Sequence, residues 1–357
     1  MGAAVTLLIS VLTGYLASRA GIPLAWVLGP LIPTAAGAVL GVRVFAPKQG
    51  RQLGQLVVGT SIGLSLTVAS VDLIASWFPV ILLTSVASVI VTALMCVPFS
   101  RVARIDIATA YFSLTPGGLS EMARTGEKEG AQSEPVALCQ TIRVAVLVCL
   151  MPWLLLTFGA DGGLAQIVDR AQLPYWELGL LLAFTAASAC IIRQTGVNNP
   201  WMIGGLIGSG ILSASGLVEG RVPYVPFALG QFLIGISIGA RFRRENLAKL
   251  PRVAIASFAF ILMNTAVLLG YAYLVHIATG IDLSTMALSS SPGGLAEMAL
   301  TAQALHLSTA LITSFHVIRS FTVNAFSQHF YRLFRRIRLF DGIGNLLDLA
   351  QRRPCGR

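Results

Sequence analysis

The sequence predicts an all-α integral membrane protein made of two inverted-topology repeats, each of about five transmembrane helices and each interrupted by a Pro-Gly-Gly break. Three observations predict it: too few charges for a water-exposed surface, a self-match at one fixed offset, and loop cations that change sides between the halves. Of the 357 residues, 55% are hydrophobic and 11% are charged, with a mean hydropathy of +0.78. A soluble domain carries roughly 25% charged residues. A crossing helix needs about 20 apolar residues, which leaves no room for a large soluble domain beside the spans.

Charge-poor apolar segments run over 4–18, 23–42, 53–71, 73–98, 136–158, 178–192, 199–218, 226–240, 253–275 and 307–328, giving ten expected crossings. The first lacks the positive flank of a signal peptide and is read as a retained span. Two further stretches, 105–130 and 283–305, are apolar but broken by Pro-Gly-Gly.

The repeat has an offset of 175 to 176 residues. Thr115-Pro116-Gly117-Gly118-Leu119-Ser120-Glu121-Met122 matches Ser291-Pro292-Gly293-Gly294-Leu295-Ala296-Glu297-Met298. In the same register Leu53-Gly54-Gln55 matches Leu229-Gly230-Gln231. Gly59, Ser61, Ile62 and Gly63 match Gly235, Ser237, Ile238 and Gly239, and Ile142-Arg143 matches Ile318-Arg319. Trp26 and Gly29 match Trp201 and Gly204. Ordered identities in one register point to a duplication, with repeats at 1–165 and 172–340 and a basic cytoplasmic tail at 341–357.

Orientation follows from the equivalent loops, because Lys and Arg favour the cytoplasmic side. Arg43, Lys48 and Arg51 follow the second span, where the second half has only Glu219 and Arg221. After the third span the first half has Asp72, whereas the second has Arg241, Arg243, Arg244, Lys249 and Arg252 against Glu245. After the fourth, Arg101 and Arg104 with Asp106 face His276 and Asp282. A bias that reverses at each loop requires an odd number of crossings per half. Five crossings result if each Pro-Gly-Gly stretch is a re-entrant hairpin entering and leaving on one side. A discontinuous crossing helix is the competing geometry. Irregular backbone at membrane depth must line protein or a water-filled cavity, so the tips are expected at a protected site.

Thr115 and Ser291 read as helix N-caps followed by a proline at the first helical position. The free amides and positive dipole end of the following helix suit an anionic group, and Gly117, Gly118, Gly293 and Gly294 allow close approach to the backbone. The alternative is a tight turn between short helices. Glu121 and Glu297 lie six residues past that cap, and intramembrane carboxylates are functional candidates. Each carries a coupling proton, binds a cation, or pairs with Arg143 or Arg319. Those arginines are also candidates for bidentate binding of an anionic substrate. Glu121 is followed by Arg124, Glu127, Lys128, Glu129 and Glu134, whereas Glu297 precedes an uncharged run and looks deeper.

The small residues around Ser61 and Ser237 suit close helix packing or backbone unwinding beside the tips, with Gln55 and Gln231 as polar neighbours. Gln140 and His316 are equivalent, three residues before the arginines. His316 is read as a proton carrier or as a hydrogen-bonded structural histidine. The five tryptophans sit near span ends, as interfacial anchors do. Cys96, Cys139, Cys149, Cys190 and Cys355 form no CxxC pair, and the four histidines are isolated. No catalytic group, metal or other cofactor is therefore expected.

The formal charge is +10, and from His329 onward seven arginines oppose Asp341 and Asp348, so half the excess lies in the tail. Phe330, Leu333, Phe334 and Ile337 recur at helical spacing among these arginines, predicting an amphipathic helix on the anionic inner leaflet. No direct nucleic-acid partner is expected.

The duplicated (S/T)-P-G-G-L-(S/A)-E-M motif, the Gly-x-Ser-Ile-Gly span and the Ile-Arg span resemble the AbrB-like membrane protein family, over nearly the whole chain to about residue 340. Its members are labelled AbrB family transcriptional regulators or ammonia monooxygenases. The resemblance implies kinship with the cation/proton antiporter and anion transporter superfamily, whose folds are inverted repeats. The DNA-binding protein that shares the AbrB name is small and soluble, and no such domain is visible here. Three functions compete. One is a secondary transporter of a small, anionic solute, bound at the tips near the midplane and coupled through Glu297 and Glu121. The second is a membrane regulator of gene expression. The third, an oxygenase, is disfavoured by the absence of clustered ligands. The expected setting is a bacterial inner membrane with both termini cytoplasmic. The expected partners are a small solute or ion and the bilayer, with oligomeric state, including a homo-oligomer, left open.

Overall fold

Apolar runs of this length leave backbone hydrogen bonding to be satisfied within each segment, and helices carry the whole described architecture. The computed structural model describes residues 2–157, 171–197 and 199–352. Among them the sole β feature is an isolated bridge between Gln172 and Arg221. Most of the expected boundary between the repeats, and Arg353, Cys355 and Arg357 of the tail, lie outside the described residues.

The helices are α1 (Gly2–Arg19), α2 (Ala25–Val39), α3 (Gly50–Gly63), α4 (Val68–Ser76), α5 (Phe78–Ala103), α6 (Ile107–Leu114), α7 (Leu119–Glu127) and α8 (Ser133–Thr157), followed by α9 (Tyr175–Gln194), α10 (Pro200–Ala214), α11 (Tyr224–Gly239), α12 (Arg244–Lys249), α13 (Pro251–Thr279), α14 (Leu283–Ser290), α15 (Leu295–Ala304), α16 (Thr309–Arg336) and α17 (Leu339–Arg352). The first eight recur in order as the next eight. Local chemistry recurs with them: Asp106 caps α6 by accepting from the Thr109 amide at 2.7 Å, and Asp282 caps α14 by accepting from the Thr285 amide at 2.8 Å.

Among the described residues six segments are long and apolar enough to cross a membrane: α1, α5, α8, α9, α13 and Tyr224–Lys249, which contains α11 and α12. That length and composition mark a multi-pass membrane protein, though six is fewer than the ten expected crossings. The segment 53–71 divides, because Thr67 accepts from the Ser70 amide and starts α4 as a new helix. This leaves α3 with 14 residues, while α2 and α10 have 15 each. At 1.5 Å per residue such helices fall short of a hydrocarbon core about 30 Å thick.

Helix α1 is polar toward the protein and apolar outward. Its buried positions are Thr6, Ser10 and Gly14, while Leu8 is 69% exposed and Leu12 and Leu16 are more than half exposed. That is the reverse of a water-soluble amphipathic helix and fits a lipid-facing surface.

Packing is exchanged between the halves: α2 lies against α11, α3 against α10, and α3 and α11 against each other, while α5 packs on α16 and α8 on α13. The small residues serve this packing. A side chain at Gly59 or Gly63 would overlap the carbonyl of Met202 or Leu206 on α10, and one at Gly235 or Gly239 would overlap that of Val27 or Leu31 on α2. Helix α3 is unbroken through this stretch, so the unwinding alternative is not what these glycines provide. Gly59→Val is expected to destabilise the protein by at least about 1–3 kcal/mol, read as a lower thermal midpoint of the purified protein. Gly270→Ala, which meets no atom within 4 Å, should leave the midpoint unchanged.

Several contacts gather the cation-rich segments at one end of the bundle. Gly41 faces the Arg244 side chain, the Arg252 Nε donates to the Val102 carbonyl at 2.5 Å, and Arg101 pairs with Asp348 of α17 at 2.8 Å. At the other end the Trp26 Nε1 donates to the Tyr224 hydroxyl at 2.8 Å, and the Ser213 hydroxyl to the Leu64 carbonyl at 2.9 Å.

The C-terminal segment corrects one expectation. Residues 330–340 do not form a separate surface helix: α16 continues to Arg336, the chain turns at Arg338 with φ 54°, and α17 begins at Leu339. Phe334 and Phe340 are buried, and both rings pack on Tyr111 of α6. Leu333 and Ile337 stay exposed.

Candidate functional site

Each tip is shaped by its proline. A residue before proline is pushed out of the helical region. Thr115 (ψ 127°) and Ser291 (ψ 140°) are accordingly extended and end α6 and α14. This overturns their reading as N-caps. Gly118 and Gly294 hold the cap positions, and α7 and α15 start at Leu119 and Leu295. Glu121 and Glu297 therefore stand in the first turn, where a carboxylate meets the positive end of its own helix, not six residues beyond the cap. Gly117 and Gly293 lie close against Met122 and Met298, and a Cβ at either would come within 2.7 Å of the methionine Sδ and force that side chain to shift.

Behind each tip stands its arginine. The Arg143 Nη1 donates to the Thr115 carbonyl at 2.8 Å and its Nη2 to that of Gly117 at 3.0 Å. Arg319 repeats this: its Nη1 donates to the Ser291 carbonyl, and its Nη2 to that of Gly293 at 2.7 Å. Both guanidinium forks thus hold tip backbone, and neither pairs with the glutamate of its own half. Gln140 adds three donations, to the carbonyls of Phe112, Ser113 and Thr115 at 2.9, 3.2 and 2.9 Å. Its counterpart His316 contacts the Leu288 carbonyl through Nε2 at 3.0 Å and the Arg319 Nη2 through Nδ1 at 2.8 Å. Arginine can only donate, so Nδ1 accepts and Nε2 carries the proton. Both ring nitrogens are thereby engaged in structure.

The two tips face one cavity of about 330 Å³. Pro116, Gly117, Gly118 and the start of α7 line it from the first half; Gly293, Gly294 and the start of α15 line it from the second. Arg143, Glu121, Glu297, Gln55 and Gln140 also reach it. Thr115, Ser291, Pro292, Arg319 and His316 stand outside its lining, as do Ser61, Gln231 and Ser237. Ser61 instead accepts from the Gln303 Nε2 at 3.1 Å, and the Ser237 hydroxyl donates to its own helix at Leu233.

The cavity also contains residues that sequence reasoning missed: Arg51, Arg193 and Arg241, together with Asn199, Trp201 and Ser320. Arg51 and Arg241 read as topology charges, and Trp201 as an interfacial anchor. The one available signal was the Asn199-Pro200 pair that opens the apolar segment 199–218. Asn199 has φ 55° and accepts from the Gln55 Nε2 at 3.2 Å, which ties this turn to α3.

The two halves of the site differ in access. Gly117, Gly118 and Leu119 are half-buried and Ser120 is exposed, whereas Ser291 to Gly293 and Leu295 to Glu297 are buried. Glu121 pairs with the exposed Arg124. Glu297 is 2% exposed, and its Oε1 has no hydrogen-bond partner. No group of three or more potential metal ligands occurs among the described residues.

The turn after α7 is fastened to α16. Glu129 accepts from the Gln328 Nε2 at 2.7 Å and from the Arg332 Nε at 2.8 Å. Partial burial pushes its pKa up, but these hydrogen bonds and the charges of Arg332 and Arg335 outweigh it, and the net shift is downward. A depressed folded-state value means that the contribution is present above the unfolded pKa and lost as pH falls through the folded one. Glu129→Gln should therefore flatten the acid limb of thermal stability against pH, by less than about 1 kcal/mol because its Arg332 partner is largely exposed.

A family model described as "Transition state regulatory protein AbrB" matches residues 26–335. The chain is 28% identical over 356 residues to "Uncharacterized protein YhjN" of Bacillus subtilis (strain 168), covering 92% of each chain. It is 25% identical over 329 residues to "Putative regulator AbrB" of Escherichia coli (strain K12), covering 89% of this chain and 91% of the relative.

Proposed function

Because this chain belongs to the AbrB family, we propose that it is a secondary transporter of a small anionic solute, rather than an enzyme, with the solute bound between the two Pro-Gly-Gly tips. The observation that carries this reading is the convergence of both half-helix N-termini on one cavity of about 330 Å³, lined by four guanidinium groups. Helix N-termini and arginines are anion-binding elements. Half-helices meeting at the interface of two repeats are the arrangement transporters use for substrate.

The exchanged packing of α2 with α11 and α3 with α10 supports two repeats related by a twofold axis. The meeting of the loop after α2 with that after α11 supports their inverted orientation, with α6–α7 and α14–α15 as re-entrant hairpins. Lys and Arg favour the cytoplasm, so the cation-rich end is the cytoplasmic one, both termini lie there, and Arg51, Arg193 and Arg241 mark a mouth on that side of a bacterial inner membrane. Glu297 is the group for coupling, since it needs a positive charge, proton or cation, that arrives with the solute.

The test is flux of labelled small organic anions into proteoliposomes holding the full chain, compared with Gly118→Ala and Gly294→Ala. Flux unchanged by both substitutions would remove the tips from the mechanism. The word "regulator" in the name of the Escherichia coli relative motivates a second reading, a sensor that signals when the cavity fills. It predicts altered gene expression on deletion with no flux.

A further inference from the structure

Two opposite charges face the cavity and act on each other through space without forming a contact salt bridge. Arg143, 3% exposed, directs both terminal nitrogens to tip carbonyls and keeps an Nε with no partner. Glu297, 2% exposed and on the other half of the chain, keeps an Oε1 with no partner. The ion pairs among the described residues are Arg101–Asp348, Arg124–Glu121 and Arg332–Glu129, so neither buried charge is in one. Buried polar atoms are normally satisfied, and a native exception calls for an explanation.

A ligand can supply it. A simple anion seated at the accessible N-terminus of α7 would face the Glu297 carboxylate across a cavity at the small end of the range for small-molecule sites. Like charges at that range disfavour binding. Arg143 offsets this charge only from a distance and leaves the Glu297 Oε1 without a donor, and a molecule carrying both groups brings a cationic donor with it. Resting on the anion-site reading above, we propose that the solute is a small zwitterion of the α-amino acid type, with its carboxylate at the first tip and its ammonium group on Glu297.

The two poles have different settings, as the two ends of such a molecule do. The first tip offers half-buried glycines and the free amides at the start of α7, which donate to a carboxylate. The second is closed around its acid, and Glu297 presents acceptors, which suit the three N–H donors of an ammonium group. The loaded site is then neutral at these two poles, so no separate coupling ion is required to discharge Glu297.

The experiment is calorimetric titration of the purified full chain in lipid nanodiscs with alanine, leucine, glutamine and phenylalanine, each paired with the carboxylic acid that lacks its amino group. At least one amino acid should bind about tenfold or more tighter than its partner acid. Glu297→Gln, in a preparation that stays monodisperse, should bring that pair to within about twofold. Acids that bind as tightly as the amino acids, or more tightly, would overturn the zwitterion while leaving the anion site standing. Binding by none of the eight compounds would also overturn it, and the flux measurement with organic anions then judges the transport reading separately. The wild-type pairs decide the matter even if the variant fails to fold.

Discussion

Arg319→Ala should be among the most destabilising single substitutions in this protein, at about 3–5 kcal/mol, and more harmful than Arg143→Ala. Each guanidinium ties two carbonyls across a stretch where proline has removed the helical ladder, so its loss leaves buried acceptors with nothing to replace water. The halves are not equally insured. In the first, Gln140 also donates to the Thr115 carbonyl and to two residues before it, so part of the tip stays satisfied without Arg143. In the second, His316 reaches only the Leu288 carbonyl, and its Nδ1 depends on Arg319 for a donor. Removing Arg319 therefore strands that ring nitrogen as well as the carbonyls of Ser291 and Gly293. Arg319→Lys keeps the charge but replaces the planar fork, whose two separated nitrogens serve both carbonyls and the His316 Nδ1, with a single nitrogen, and should recover less than half of the loss. Thermal midpoints of the four variants Arg143→Ala, Arg143→Lys, Arg319→Ala and Arg319→Lys would check the order, and equal losses in the two halves would contradict it.

The parts of this site readable from sequence are those that recur. Pro-Gly-Gly followed by Glu-Met stands out because it occurs twice at one offset, and the same offset picks out Ile142-Arg143 and Ile318-Arg319. Both arginines reach their tips across about the same separation in sequence. The cap assignment failed on a local rule: the preference of Thr and Ser for N-caps competes with the steric demand of the following proline on its predecessor, and the steric demand prevailed. Arg51, Arg193 and Arg241 could not be placed at the cavity by any local pattern. They stand at or just beyond helix ends, where cations serve topology, and reach the site only because α3, α9, α10 and α11 come together from distant parts of the chain. The segment 53–71 is not one continuous helix for a related reason. Hydropathy continues through Leu64 to Val71, and the break is made by a Thr67–Ser70 capping box that an apolar average does not register.

Glu297→Gln should abolish coupled flux or solute binding, while Glu121→Gln leaves most of it, although the two glutamates occupy equivalent positions in the duplicated motif. Their surroundings have diverged. Glu121 is paired with Arg124, which is 67% exposed, and a screened pair of that kind contributes roughly 0–1 kcal/mol. Glu297 forms no contact salt bridge, the Arg143 guanidinium acting on it only through space; it is 2% exposed and belongs to a tip closed by Leu295, Ala296 and Met298. Replacing it by the neutral amide removes a charge-assisted contact with whatever cation, proton or ammonium group fills the site, about 1.5–3 kcal/mol or roughly 10–100-fold in affinity. The fold should tolerate the exchange, because Gln has the shape of Glu and no ion pair is broken. A retained thermal midpoint with lost binding is thus the expected signature, whereas a lowered midpoint with binding intact would make Glu297 a structural residue. Proton coupling and a cationic solute separate on pH. If the coupling cation is a proton, flux by wild type should vary with the pH gradient and Glu297→Gln should be insensitive to it. If the positive charge is part of the solute, wild-type affinity should stay flat across the neutral range, where an α-carboxylate and an α-ammonium group both keep their charge. The same pair of variants therefore tests the asymmetry of the duplicated motif and the identity of the charge that Glu297 awaits.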